Sequence, residues 1–99
     1  MNKQQVFALD FDDTFTADPE FWSDFVIRSQ ARGHVVICIS ACRDTFQNRR
    51  KREEQLPSGV KIYCSYDKPK IQFADERNLG VTVWIDDCPE MIVGYARPQ

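Results

Sequence analysis

The stretch "VFALDFDDT", residues 6–14, places three carboxylates directly after a run of apolar residues. An uninterrupted apolar run such as Val6–Leu9 is typical of a strand buried on both faces, as in a parallel sheet. Asp10, Asp12 and Asp13 then crowd into four positions, and like charges this close cost free energy unless something positive neutralises them. The stretch therefore predicts a buried strand that ends at a charged site.

Three further apolar runs follow along the chain, and helical patterns separate them. The runs are residues 35–39, 60–63 and 81–85. The helices are predicted over residues 18–33, 44–55 and 69–78, with a last turn or two over 89–95. Alternation of this kind predicts an α/β fold: a small Rossmann-like parallel sheet of about four strands flanked by helices, in a single domain over residues 1–99.

The helix patterns also predict which side chains are buried. Asp18 is expected to cap the first helix, with Pro19 at its first position, and Gly33 to stop it. Spacing near 3.6 residues predicts its buried stripe as Phe21, Trp22, Phe25, Val26 and Ser29. In the strongly polar second helix, Phe46 is expected to be the main apolar anchor. Its basic residues between 43 and 54 are expected to be solvated, the alternative being a patch for an anionic substrate.

Composition indicates the class of protein and its cellular compartment but does not decide the function. The 99 residues are 42% hydrophobic, which favours a folded domain over a disordered one. No apolar run approaches the roughly 18 residues of a membrane span and no signal peptide is visible, so we expect a cytoplasmic protein with no membrane partner. The cysteines form no CxxC pair and are expected to be reduced; a zinc site of Cys42, Cys64 and Cys88 is the alternative.

Polar residues follow each predicted strand, at the edge where ligands bind in open α/β sheets. They are Asp10 after the first, Ser40 to Arg43 after the second, Cys64 to Lys68 after the third and Asp86-Asp87 after the fourth. Clustered acids at this edge call for a hard divalent cation, and Mg²⁺ takes one or two carboxylates together with waters and a substrate phosphate. A carboxylate can attack phosphorus, a second acid can serve as general acid and base, and Lys and hydroxyl groups can hold the phosphoryl oxygens.

At this point the chain resembles a known family over essentially its whole length. "DFDDT" at residues 10–14, a strand ending in Ser40, Lys68-Pro69 and "VWIDD" at residues 83–87 resemble, in order, the four motifs of the haloacid dehalogenase superfamily. The resemblance implies a Mg²⁺-dependent phosphomonoester hydrolase that works through an aspartyl-phosphate.

The resemblance also implies roles for the acids. Asp10 matches the nucleophile and a metal ligand, and Asp12 the general acid and base, with its backbone carbonyl on Mg²⁺. Asp86 matches the second carboxylate of the metal site. Thr14 and Asp87 match supporting positions.

The phosphate-binding side is matched by a second group of residues. Ser40 matches the phosphate-binding hydroxyl, and Ala41 next to it is also expected to contact the phosphate. Alternatively, Ser40 could simply cap the next helix. Lys68 matches the motif lysine, which steadies nucleophile and phosphoryl group. Lys70 competes with it, and we favour Lys68 because it directly precedes Pro69. Arg43 either binds a substrate anion or is simply exposed to solvent at the start of the second helix.

The substrate prediction comes from what the chain lacks. Members of this superfamily usually insert a cap after the first motif or the third strand, and here only residues 15–18 and 65–69 occupy those places. The chain resembles the capless type, whose open site favours a macromolecular phosphate or a nucleic-acid end. A homo-oligomeric neighbour is the other way to cover such a site.

Two other functions compete with the phosphatase. A catalytically weak or inactive protein of the same fold would serve as a binding or regulatory module. A receiver-like signalling domain also uses acids, a hydroxyl and a lysine, but its lysine comes last, whereas here an acid pair, Asp86-Asp87, follows the lysines.

Overall fold

A four-stranded parallel sheet forms the centre of the molecule in the computed structural model, which describes residues 3–94. The strands are β1 (Val6–Leu9), β2 (Val35–Ser40), β3 (Lys61–Cys64) and β4 (Val83–Ile85). They lie in the order β3-β2-β1-β4, and every neighbouring pair is parallel. The predicted α/β fold, a parallel sheet of four strands flanked by helices, is therefore confirmed.

The register brings the carboxyl ends of the strands to one edge. Leu9 of β1 lies opposite Cys38 of β2 and Ile85 of β4, and Ser40 lies opposite Cys64 of β3. Because β1 is flanked on both sides, the residue that follows it stands between two other strand ends. The backbone N–H of Asp10 still donates to Ile85 O, at 2.9 Å.

The helices occupy the connections. They are a 3-10 turn (Phe15–Ala17), α1 (Pro19–Ala31), α2 (Phe46–Gln55), α3 (Lys70–Glu76) and α4 (Glu90–Val93). Each predicted helix is present but shorter than expected, and Tyr95, the predicted end of the last one, lies outside the described residues. None of the helices described over residues 3–94 is long and apolar enough to cross a membrane.

The first helix begins and ends where the sequence places it. Asp18 Oδ1 accepts a hydrogen bond from Phe21 N at 3.2 Å, and Pro19 is the first helical residue, where its missing N–H costs nothing. Gly33 follows the helix with a φ of 85°, a left-handed conformation that glycine adopts without strain.

The sheet carries a hydrophobic core on each face. Val26 of α1 packs with Leu9 and Cys38 on one face, together with Leu56, which directly follows α2. Phe73 and Ala74 of α3 pack on the other face. Helices α2 and α3 therefore approach the sheet from opposite sides.

Two predictions about buried residues are wrong. Phe46 is 71% exposed, whereas Arg52 of the same helix is only 3% exposed. Six residues separate the two, which rotates Phe46 about 120° around the helix from the inward face. Phe21 is also exposed, because it sits in the first turn of α1 and packs edge-on against the Trp22 ring instead of reaching the sheet. Val26 and Ser29 of the predicted stripe are buried as expected, and Trp22 and Phe25 are partly buried against the core.

We predict that Asp18→Ala lowers the free energy of unfolding by about 1 kcal/mol, since it removes the acceptor for an N–H that the helix itself cannot satisfy. Urea unfolding measures the change. Asp24→Ala, an exposed substitution in the same helix, is the matched control and should leave stability nearly unchanged. Equal losses in the two variants would contradict the capping role.

Candidate functional site

Three carboxylates meet at the carboxyl edge of the sheet. Asp10 directly follows β1, and Asp86 and Asp87 directly follow the neighbouring β4. One carboxylate oxygen from each lies within 4.8 Å of the others, close enough to ligate one ion. The adjacency of β1 and β4 in the sheet is what brings together acids that are more than 70 positions apart in the chain.

Lys70 is the cation that lies among these acids. Its Nζ is 2.9 Å from Asp10 Oδ1 and 2.6 Å from Asp86 Oδ2, and its side chain is only 2% exposed. One ammonium against three ionised carboxylates leaves a net charge of −2 in the cluster. That charge and the all-oxygen donor set fit a hard divalent cation such as Mg²⁺, for which Asp10 and Asp86 supply the predicted carboxylates.

The structure corrects the choice between the two lysines. Lys68 Nζ pairs with Glu76 Oε1 at 2.7 Å on the exposed side of α3, away from the acids. Pro69 caps the helix, so Lys70 is its first residue and shares an inward face with Phe73 and Ala74, three and four positions later. This spacing is visible in the sequence and groups Lys70 with the apolar residues of α3, although it does not identify the partners of Lys70.

Burial dominates the electrostatics of Asp10. Loss of solvent raises the pKa of its carboxyl from 3.8 to about 6, with Lys70 lowering it and the charge of Asp86 raising it further. For Lys70, burial opposes the charged form, yet the pKa of its ammonium is raised by Asp10 and Asp86. At neutral pH the pair is therefore ionised, with Asp10 more basic than an ordinary aspartate.

Thr14 links the two acid-bearing loops. Its hydroxyl lies 3.2 Å from Asp10 Oδ2 and 3.1 Å from Asp87 Oδ1, and its oxygen accepts from Asp87 N at 3.1 Å. A single hydroxyl proton can be donated to one carboxylate at a time. Thr14 contacts Asp10 Oδ2 and Lys70 contacts Asp10 Oδ1, so the two side chains together fix the orientation of that carboxylate.

Asp12 and Ser40 share a partner, Arg52, that is not among the predicted site residues. Arg52 Nη2 lies 3.2 Å from Asp12 Oδ2, and Arg52 Nε donates to Ser40 Oγ at 3.0 Å. Asp12 is 64% exposed, whereas the Ser40 side chain is buried. The expectation that the basic residues of this helix are all solvated is therefore wrong for Arg52. Its spacing of four residues from the apolar Leu56 was the available signal.

A cavity of about 310 Å³ lies beside the acid cluster. The residues that line it are Asp10, Asp12, Asp13, Ala41, Lys70, Asp86, Asp87, Cys88 and Met91. Of the predicted phosphate-binding residues, only Ala41 reaches this lining. Asp13 has a φ of 64°, a left-handed conformation that suits a turn residue and that aspartate adopts more readily than most residues.

Of the other candidates, Arg43, Cys42 and Cys64 lie outside the lining of this cavity, whereas Cys88 belongs to it. The guanidinium of Arg43 stacks on the ring of Tyr66, 4.5 Å from its centre. Cys42 and Cys64 have their sulfur atoms 3.0 Å apart, while Cys88 Sγ contacts Glu90. Within residues 3–94 the one group of three or more potential metal ligands is the acid cluster, so the alternative zinc set is not assembled.

Comparison with protein-family models, with curated proteins and with solved structures finds no match to this chain.

We predict that Lys70→Met lowers the free energy of unfolding by about 3 kcal/mol or more, because it leaves buried carboxylates without their cation. Lys68→Met is the matched control and should change stability little, since its pair with Glu76 is exposed. Urea unfolding at pH 7 with EDTA compares the two. Similar midpoints for both variants would contradict the pairing.

We predict that Asp10 makes stability fall as the pH rises from about 4 to 6. Folding raises the pKa of Asp10 from 3.8 to about 6, so the folded state resists losing this proton and its ionised form costs stability above that range. The free energy of unfolding of the wild type, relative to Asp10→Asn, should fall by about 2 to 3 kcal/mol between pH 4 and 7.

Urea titrations in EDTA at several pH values measure that difference. The comparison with Asp10→Asn cancels the other titrating groups. Parallel stability curves for the two proteins would show that Asp10 titrates normally.

Proposed function

We propose that this protein is a Mg²⁺-dependent phosphomonoester hydrolase that acts through an aspartyl-phosphate on Asp10, as the resemblance of its motifs to the haloacid dehalogenase superfamily implies. The observation that carries the proposal is the convergence of Asp10, Asp86 and Lys70 from three elements at one cavity. Acids and a lysine placed in this way suit the transfer of a charged phosphoryl group.

Asp10 is suited to be the nucleophile. It directly follows the strand between β2 and β4, which holds its backbone, while Lys70 and Thr14 hold its two carboxylate oxygens. An oxygen of Asp10 forms a bond to phosphorus as the bond from phosphorus to the ester oxygen breaks. The ammonium of Lys70 lies 2.9 Å from Asp10 Oδ1 and offsets the negative charge brought together in the site.

Asp12 is suited to move the protons. It lines the same cavity as Asp10, two residues further along the chain. In the first step it gives a proton to the departing ester oxygen, and in the second it takes one from the water that attacks the aspartyl-phosphate. The second step releases inorganic phosphate and regenerates the Asp10 carboxylate.

The cluster of Asp10, Asp86 and Asp87 would hold Mg²⁺. When bound, Mg²⁺ would neutralise the remaining negative charge and polarise the phosphoryl oxygens. Without that neutralisation, the carboxylates would repel an anionic substrate.

The proposed substrate is a phosphomonoester carried on a larger body, a macromolecule or a nucleic-acid end. Asp12 and Asp13 at the rim of the cavity are exposed to solvent, which suits a substrate that covers the site itself. A neighbouring copy of the chain is the other proposed cover.

A binding or regulatory protein of the same fold is the second candidate. It is favoured by the partners that the key groups already have: Lys70 for Asp10 and Asp86, and Arg52 for Asp12. Side chains paired in this way can stabilise a fold without any catalysis.

We predict that the wild type hydrolyses an aryl phosphate such as p-nitrophenyl phosphate with Mg²⁺ but not with EDTA. Asp10→Asn should lower kcat by at least about a thousandfold, because no nucleophile remains. The Asp10→Asn protein must keep its circular dichroism spectrum for the comparison to count. Undiminished turnover in this variant would contradict the aspartyl-phosphate.

A binding measurement separates the two candidate functions if small esters are poor substrates. BeF₃⁻ resembles a phosphoryl group on a carboxylate, so with Mg²⁺ it should raise the melting temperature of the wild type but not that of Asp10→Asn. A melting temperature that does not respond in either protein would favour the binding protein.

A further inference from the structure

We propose that Arg52 is a positioning residue that sets the orientations of Asp12 and Ser40 from beneath the site. The inference rests on the proposed phosphatase function and adds a residue that lies outside the motifs carrying the resemblance. It follows from the contacts of one buried guanidinium.

Every nitrogen of the Arg52 guanidinium has a partner. Nη2 donates to Asp12 Oδ2 at 3.2 Å, Nε to Ser40 Oγ at 3.0 Å, and Nη1 to Asn48 O at 3.0 Å. Its central carbon lies 4.6 Å from the centre of the Phe11 ring. The group is therefore fixed in both position and plane.

The ion pair is asymmetric in its burial. The Arg52 side chain is 4% exposed, whereas that of Asp12 is 64% exposed. A buried cation that served stability alone would be expected to have a buried partner, since burying a charge is costly unless it is fully paired. Here a fixed cation instead holds a carboxylate that stands in solvent at the rim of the cavity.

An exposed aspartate without such a partner would rotate among its staggered conformers. The planar guanidinium is already oriented by Ser40, Asn48 and Phe11, so little further ordering is needed when Asp12 binds to it. Arg52 thus restricts where the proton-carrying group of the proposed reaction can lie. It does so without lining the cavity itself.

The contact with Ser40 reaches a second predicted residue, which is buried beneath the cavity and does not line it. Ser40 Oγ accepts the hydrogen of Arg52 Nε, which leaves the hydroxyl hydrogen of Ser40 for another acceptor. One guanidinium therefore connects the loop after β1, the end of β2 and helix α2.

The test uses the dependence of rate on the leaving group. An alkyl phosphate needs a proton on its departing oxygen, whereas 2,4-dinitrophenolate leaves without one. Hydrolysis of the aspartyl-phosphate is common to both esters, so the comparison uses kcat/KM, which reports only the step that expels the leaving group. If Arg52 positions Asp12, Arg52→Met should lower kcat/KM about a hundredfold for an alkyl phosphate but only a few fold for 2,4-dinitrophenyl phosphate. Asp12→Asn should show the same asymmetry.

A double variant identifies the route of the effect. Because Arg52 acts through Asp12, Arg52→Met combined with Asp12→Asn should be no slower on the alkyl ester than Asp12→Asn alone. Arg50→Met is the matched control, since Arg50 lies on the exposed face of α2, where it contacts the exposed Glu54 and Phe46 and neither Asp12 nor Ser40. Its rates on both esters should equal those of the wild type.

Stability is checked for each variant by its melting temperature. If Arg52→Met does not fold, Arg52→Lys, which keeps the charge but cannot make the same contacts, is measured in its place and should show the same asymmetry in weaker form. Equal losses on the two esters, or independent effects of Arg52→Met and Asp12→Asn, would overturn the role of Arg52 in an active enzyme. A wild type that is inactive on both esters would instead overturn the proposed function, and this inference with it.

Discussion

The ion pair of Lys70 with Asp10 and Asp86 is the interaction on which the site depends. Parallel pairing of β1 with β4 brings the two acids together, and two buried carboxylates without a cation would oppose that pairing. Lys70 makes the arrangement stable and still leaves a net charge of −2 among the three acids. The same contact thus permits folding and preserves the negative charge that the proposed Mg²⁺ would neutralise.

A second cation supports the site from the other face of the sheet. Lys70 belongs to α3, whose Phe73 packs on one face, and Arg52 belongs to α2, which is followed by Leu56 in the core of the opposite face. Lys70 holds the proposed nucleophile and Arg52 the proposed proton carrier. Two helices on opposite faces therefore position the two acids that the proposed chemistry requires. Neither of the two cations comes from α1.

The proposed phosphatase mechanism depends on the different surroundings of Asp10 and Asp12. A nucleophile must be fixed and basic. The contact with Lys70 fixes the Asp10 carboxylate, and burial raises its pKa. A group that exchanges protons with water must reach solvent, as Asp12 does at the rim of the cavity. The contrast in burial between these acids arises because Asp10 directly follows β1 and its N–H still donates to Ile85 O, whereas Asp12 lies two residues further along, in the turn.

Local pattern determined the strands and the parallel sheet, because apolar runs mark each strand along the chain. Helix signals likewise determined the cap at Asp18. The meeting of Asp10 with Asp86 followed because parallel strands end at a common edge. Tertiary structure decided that Lys70 rather than Lys68 meets the acids, and that Arg52 rather than Phe46 turns inward. Periodicity says which residues share a helix face, but the face that meets the sheet is selected by packing and by polar partners such as Ser40 and Asp12. Those partners come from distant parts of the chain, so no local pattern contains them.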